Sequence, residues 1–197
     1  MEPVSEPLPE LSGLLASDLN RYFPSLVLNF QQRLYAFALR YTGIAQDAED
    51  IAQETFIRAY HALADYPAER IRAMKFQPWL YKIALHICYR HKSNVRLQYT
   101  SLDLSEEQQA SLESDEREHP EKVLEDSEEI RELEAMIARL PEQYRIAVSC
   151  YYFEELGYRE IAEMLNQPVG TVKSNVHRGT QLLRKSLLAE QSQQQYR

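Results

Sequence analysis

From Ser25 the chain reads SLVLNFQQRLYAFALRYTG, and in it Phe30, Leu34, Phe37 and Tyr41 recur at intervals of three or four residues. That is the α-helical period, so the four side chains share one buried stripe, and Gly43 stands where the helix should end. The next segment, AQDAEDIAQETFIRAYHAL, has Ala48, Ile51, Ala52, Thr55, Ala59 and Leu63 on its inner face and carboxylates on its outer one. After a turn at Tyr66-Pro67 comes ERIRAMKFQPWLYKIALHICYRHKSN, with Pro78 suited to a first helical turn and an inner stripe of Leu80, Ile83, Ala84 and Ile87. Together these predict one helical block from about Ser25 to Ser93.

A second block opens with SEEIRELEAMIARL, where Ser127 can cap a helix whose buried side is Ile130, Leu133, Ile137 and Leu140. Pro141 starts PEQYRIAVSCYYFEE, Gly157 breaks it, and YREIAEMLN follows. There Ile161, Ala162 and Leu165 give a short helix its packing face, QPVG makes a turn, and Val172, Val176, Leu183 and Leu187 anchor a second helix. A short helix, a tight turn and a second amphipathic helix are the parts of a helix-turn-helix.

Between the blocks the texture changes. From Thr100 to Glu129 twelve acids face only Arg117 and Lys122, a net of −10, whereas the whole chain of 197 residues carries −8. Low hydrophobicity, charge of one sign and Pro120 predict a flexible linker there. The fold class expected is therefore all-α: two small helical domains joined by an acidic flexible linker, the C-terminal one a helix-turn-helix.

Composition narrows the class further. Five glycines among abundant helix formers agree with an all-α chain. No apolar run approaches the roughly 18 residues of a membrane span, and the acidic, proline-bearing start is unlike a secretory leader, so no membrane insertion and a cytoplasmic location are expected. Cys88 and Cys150 lie far apart inside predicted helices, which suits buried, inert thiols.

The outer face of the last helix presents Thr171, Lys173, Ser174, His177, Arg178 and Gln181, and there is no acid from Asn166 to Ala189. Arg and Lys address guanine acceptors and phosphates, and Ser, Thr and Gln add hydrogen bonds, so the face suits the major groove. An ordinary solvated face is the rival reading, but it leaves the turn chemistry and the missing carboxylates unexplained. A second cationic stretch, Arg70, Arg72, Lys75, Lys82, Arg90, Lys92 and Arg96, lies between Glu69 and Asp103 without an acid, and Phe76, Trp79, Tyr81 and Tyr89 interleave it. Cations with flat rings suit unpaired bases, although Phe76 and Trp79 suit helix packing as well.

In DAEDIAQETF, Asp47, Glu49, Asp50, Gln53 and Glu54 fall within a few turns. A carboxylate metal centre would need Glu-x-x-His pairs or equivalent ligands from several helices, and His61 stands seven residues past Glu54 with no second motif. Cys88-x-x-His91 supplies two ligands where zinc needs four. No metal or cofactor is expected. The acids suit either solvent or an arginine-rich protein surface.

DAEDIAQETFIRAYHAL, FQPWLYKIA and LPEQYRIAVSCYYFEELGYREIAEMLNQPVGTVKSNVHRG resemble the signatures of bacterial RNA polymerase sigma factors of the extracytoplasmic-function type, in the family's order and over about Arg21 to Leu188. The resemblance implies a factor that binds core RNA polymerase, recognises promoter minus-ten and minus-thirty-five elements and promotes DNA opening, with no catalytic residues of its own. It implies that Asp47, Glu49, Asp50, Gln53 and Glu54 dock on the polymerase clamp. It assigns Arg72, Lys75, Phe76, Trp79, Tyr81, Lys82, His86 and Arg90 to the minus-ten element, and Thr171, Lys173, Ser174, His177, Arg178 and Gln181 to the minus-thirty-five element. An anti-sigma factor is a further partner common in the family. The chain departs from the pattern at Leu85-His86, where the family usually has Arg-Asn, and at Asn175, where it usually has Arg; these positions bear on strand opening and promoter preference. A stand-alone helix-turn-helix regulator is the alternative function.

The domains expected are an N-terminal extension over 1–20, a polymerase and minus-ten domain over 21–96, an acidic linker over 97–126, a helix-turn-helix domain over 127–190 and a tail over 191–197. A coil of about thirty residues averages roughly 30 Å end to end and reaches roughly 100 Å extended. Promoter elements about two helical turns apart lie roughly 70 Å from each other, so polymerase must hold the linker stretched. In the free chain the acidic linker is expected to shield the two cationic faces.

Overall fold

The computed structural model describes the backbone of residues 8–101 and 133–194, and the side chains of 11–92 and 133–189. Among the described residues there is no strand. The N-terminal half holds α1 (Leu8–Ser17), α2 (Leu19–Thr42), α3 (Ala45–Asp65), α4 (Ala68–Arg72) and α5 (Phe76–Ser101). The C-terminal half holds α6 (described over 133–138), α7 (Glu142–Val148), a π-helical turn (Ser149–Phe153), α8 (Tyr158–Leu165) and α9 (Val169–Gln194). Ser127, Ile130, Arg96 and the shielding expected of the acidic linker lie outside the residues whose side chains are described.

The local rules that predict these helices are visible at their ends. The Asp18 carboxylate caps α2 by accepting from the Arg21 N–H at 3.0 Å. Gly43 ends α2 at φ 73, a left-handed conformation that costs glycine little. The inner stripes of α2 and α3 are buried as their periodicity predicts. On α5, Leu80, Ala84 and Ile87 are buried and Ile83 is half-buried. Leu187 does not anchor α9: it is exposed, because the apolar layer beneath that helix closes at Leu183.

Two features were not predicted. The first helical block begins well before Ser25, since α2 starts at Leu19 and α1 precedes it, packed on α2 and α4 with Leu11 and Leu15 buried. Each buried leucine contributes about 2 kcal/mol relative to exposure. The second feature joins the halves: Ile146, Cys150, Leu156, Ile161, Met164 and Val172 belong to the same apolar cluster as Phe37, Leu80 and Tyr81. A smaller cluster of Met136, Ile137, Leu140, Val148 and Leu183 lies beneath α9.

Candidate nucleic-acid and polymerase interfaces

The helix-turn-helix is built by three local devices. The Glu160 carboxylate accepts from the Gly157 N–H at 3.0 Å and fixes the start of α8. Asn166 takes the left-handed conformation that ends α8, at φ 52 and ψ 47, which asparagine tolerates better than most residues. The turn occupies Asn166–Pro168, and Val169 and Gly170 already belong to α9. A third device lets α9 approach α7: a Cβ on Gly179 would stand 2.6 Å from the Val148 Cγ2.

Val172 and Val176 then turn inward, and Thr171, Lys173, Ser174, His177, Arg178 and Gln181 are all exposed on the opposite side. Lys173 lies over the Tyr158 ring at 5.6 Å. Arg178 reaches Tyr144, and this hydrogen bond is the main reason the phenol's pKa falls below its usual value. Asn175 is buried. The departure from the family's arginine therefore falls beside the outer face rather than on it.

The second cationic surface is more divided. Lys82, His86 and Arg90 form an exposed i, i+4, i+8 row on α5, with Arg72 and Lys75 exposed before it. Trp79 is half-buried, between Phe76 at 6.1 Å and Tyr66 at 6.3 Å. Phe76 and Tyr81, expected nearest a separated strand, are instead core residues at 5% and 0% exposure. Neither offers a ring to a base in this conformation. Leu85 is buried too, so at that departure only His86 reaches solvent.

On α3, Glu49, Asp50 and Gln53 are exposed, while Asp47 and Glu54 are half-buried. Glu54 accepts from Arg58 at 2.7 Å and from Arg90. Burial pushes its carboxyl up, but the bonds from Arg90 and Arg58 outweigh that and hold it below the usual range. Asp47 lies 3.6 Å from His91. The sequence reading missed Ile57, a large apolar side chain 58% exposed on this acidic helix. Its signal was a position outside the inner stripe of an otherwise regular helix.

Also missed was the chemistry between the halves. The π-turn adds a residue after α7, and Glu154, whose N–H bonds the Ser149 carbonyl at 3.2 Å, is swung into the interior. Its carboxylate accepts from Arg40 at 2.5 Å and from Tyr81, and Arg33 lies at 3.6 Å. Burial pushes the Glu154 carboxyl up, against the pull of Tyr81, Arg40 and Arg33. Around this centre Arg40 meets Glu134 at 3.2 Å, Lys75 meets Glu160 at 2.8 Å and Lys92 meets Glu142. The Cys88 and Cys150 thiols are buried and unpaired, and burial pushes that of Cys88 up to about 12.

With this geometry in hand, comparison with known proteins is specific. Residues 26–96 match the family model described as Sigma-70 region 2, and residues 130–183 match that described as Sigma-70, region 4. The RNA polymerase sigma-H factor of Pseudomonas aeruginosa is 33% identical over 171 residues, which is 85% of this chain and 86% of that one. The ECF RNA polymerase sigma factor SigW of Bacillus subtilis is 34% identical over 84% of this chain and 88% of its own. Two solved structures share the fold. CnrH in complex with the cytosolic domain of CnrY is 24% identical with a TM-score of 0.62, covering 92% of this chain and 97% of that one. The sigma factor RpoE with the anti-sigma factor NepR, from Bartonella quintana, is 20% identical with a TM-score of 0.65, covering 84% and 96%.

Proposed function

The chain belongs to the sigma-70 family of RNA polymerase sigma factors, in the extracytoplasmic-function group, and on that premise we propose which of its surfaces carries each step. It is a sigma factor: it binds core RNA polymerase and promoter DNA and directs transcription initiation. Thr171, Lys173, Ser174, His177, Arg178 and Gln181 read the minus-thirty-five duplex. The observation that carries this assignment is that all six side chains stand on one solvent face of α9, in a stretch with no carboxylate. Bases and phosphates meet hydrogen-bond donors there and no competing acid.

Arg72, Lys75, Trp79, Lys82, His86 and Arg90 engage the minus-ten element, the Lys82–His86–Arg90 row following the strand. Phe76 and Tyr81 act by holding α5 in place. Glu49, Asp50, Gln53, Glu54 and Asp47 dock on the polymerase clamp, with Ile57 as the apolar centre that an acidic rim would surround. Sigma factors of this family are not catalysts, and the polymerase makes and breaks the bonds. No helix among the described residues is long and apolar enough to cross a membrane. RpoE of Bartonella quintana was solved with an anti-sigma factor, and a protein of that kind is the regulatory partner we assign to this chain.

A stand-alone regulator would share the helix-turn-helix but would have no use for the acidic α3 with Ile57. The test is reconstitution with purified core polymerase and footprinting on genomic fragments. Protection of two separate elements upstream of a mapped start site is the expected result. Binding of the chain to promoters without core polymerase, and no start-site selection with it, would overturn the assignment.

A further inference from the structure

Among the polar residues proposed to dock on the polymerase clamp, Glu49, Asp50 and Gln53 are exposed, whereas Asp47 and Glu54 are half-buried and meet α5. Asp47 Oδ1 lies 3.6 Å from His91 Nε2, and Glu54 Oε1 accepts from Arg90 Nη2. Asp47 and Glu54 are seven residues apart, about two helical turns, so they stand on one edge of α3. Arg90 and His91 are consecutive on α5. Two neighbouring contacts of this kind resist a roll of α5 against α3.

Glu54 uses its two oxygens unequally. Oε1 accepts from Arg58 Nε at 2.9 Å, from Arg58 Nη2 at 2.7 Å and from Arg90 Nη2, and none of these bonds falls on Oε2. Arg58, one turn further along α3, fixes the carboxylate from its own helix. Arg90 therefore meets an acceptor whose place is already set. It is also the last member of the Lys82–His86–Arg90 row.

We propose that Glu54 is a positioning residue for strand opening: it holds the Arg90 guanidinium, and with it the end of the row, in register for the minus-ten strand. The inference rests on the assignments of α3 and of that row made above. A free arginine side chain samples many rotamers and loses that freedom when it is ordered on a ligand, so one ordered in advance loses less. A guanidinium has five N–H donors, and the contact with Glu54 is made through Nη2, which leaves the rest of the fork for a phosphate. Arg90 stays accessible in this pose, its side chain 51% exposed. Docking and strand opening thus meet at one carboxylate, Oε1 serving α5 and Oε2 facing no partner in these bonds. The effect is modest in size, because half-exposed ion pairs change an equilibrium by only a few-fold.

The test uses holoenzyme reconstituted from the full chain, with core polymerase saturating for every variant so that docking affinity drops out of the rate. Opening is followed by permanganate reactivity of unpaired thymines on a promoter fragment recovered by the footprinting above. Glu54→Ala should slow opening roughly three- to five-fold when Arg90 is present and cause no further slowing in the Arg90→Ala background. Equal slowing in both backgrounds, as a purely structural role would give, overturns the proposal. So does an unaltered rate in Glu54→Ala with Arg90 in place; a loss seen only when core polymerase is titrated would then keep the docking assignment and reject the positioning role. Opening unaffected by Arg90→Ala alone rejects the assignment of Arg90 to the strand, and the positioning role with it.

Discussion

The Glu154 carboxylate lies 2.5 Å from the Arg40 guanidinium, across 114 residues of chain, and both side chains are buried. Removing one member of such a pair strands the other charge in a medium that solvates it poorly, whereas the intact pair itself adds little net stability. Arg40→Ala is expected to lower the free energy of unfolding by about 3 kcal/mol. Urea denaturation followed by Trp79 fluorescence measures it. A loss within experimental error would show that the halves simply separate and let Glu154 reach water.

Glu155, next to this centre, sits at φ 53, where a side chain costs roughly 1–2 kcal/mol and glycine pays chiefly in chain entropy. Glu155→Gly should stabilise the fold by about 0.5–1 kcal/mol. Glu155→Val, branched at Cβ, should destabilise it. The pair of thermal melts decides, and an unaltered midpoint in both would refute strain at this position.

At Gly179 the geometry forbids even a methyl group, which would meet the Val148 Cγ2 at 2.6 Å and the Tyr144 Cβ at 3.2 Å. Gly179→Ala must push α9 from α7 and is expected to cost about 2 kcal/mol. Because α9 carries the face proposed to read the duplex, binding to a minus-thirty-five duplex should weaken while association with core polymerase persists.

The carboxyls of Glu160 and Glu142 are held below their ordinary value of 4.5, the first by Lys75 and the Gly157 N–H, the second by Lys92, Tyr41 and Arg145 against the upward push of burial. A depressed folded-state pKa contributes stability that is present above the unfolded value and lost as pH falls through the folded one. Contact between the halves should therefore weaken below about pH 4.5. Glu154, whose pKa burial raises, acts in the opposite sense and favours closure as it takes up a proton. Energy transfer between labelled halves, titrated from pH 7 to pH 3 with and without the Glu142→Gln and Glu160→Gln changes, should show the loss only where those carboxyls are present.

On the outer face of α9, Arg178→Ala should cost about 1–3 kcal/mol of promoter binding if the guanidinium reads a base, with relaxed preference at one position of the element. A uniform loss across sequences, with a shallower salt dependence, would assign it to a phosphate instead. Competition binding against a library of element variants tells the two apart.

Most of the helices and nearly all of the inner faces were legible in the sequence, because periodicity, caps and glycine stops act over a few residues. The exposed face of α9 was legible for the same reason: the helical repeat alone places Thr171, Lys173, Ser174, His177, Arg178 and Gln181 opposite Val172 and Val176. The burial of Phe76 and Tyr81 was not legible, because an aromatic beside cations looks the same in sequence whether its ring faces a base or the core. Tyr81 is settled by Phe37, 5.1 Å away, and by Glu154 from the other half.

By itself, then, the sequence determined the helical repeat, the separation of charge into acidic and basic faces, and the family motifs that place them in order. Tertiary structure alone decided that α1 belongs to the core and that the two halves meet through Glu154. The meeting at Glu154 depends on partners 73 to 121 residues apart, whose approach no local period encodes. Packing chooses which of several compatible apolar and charged faces is finally buried.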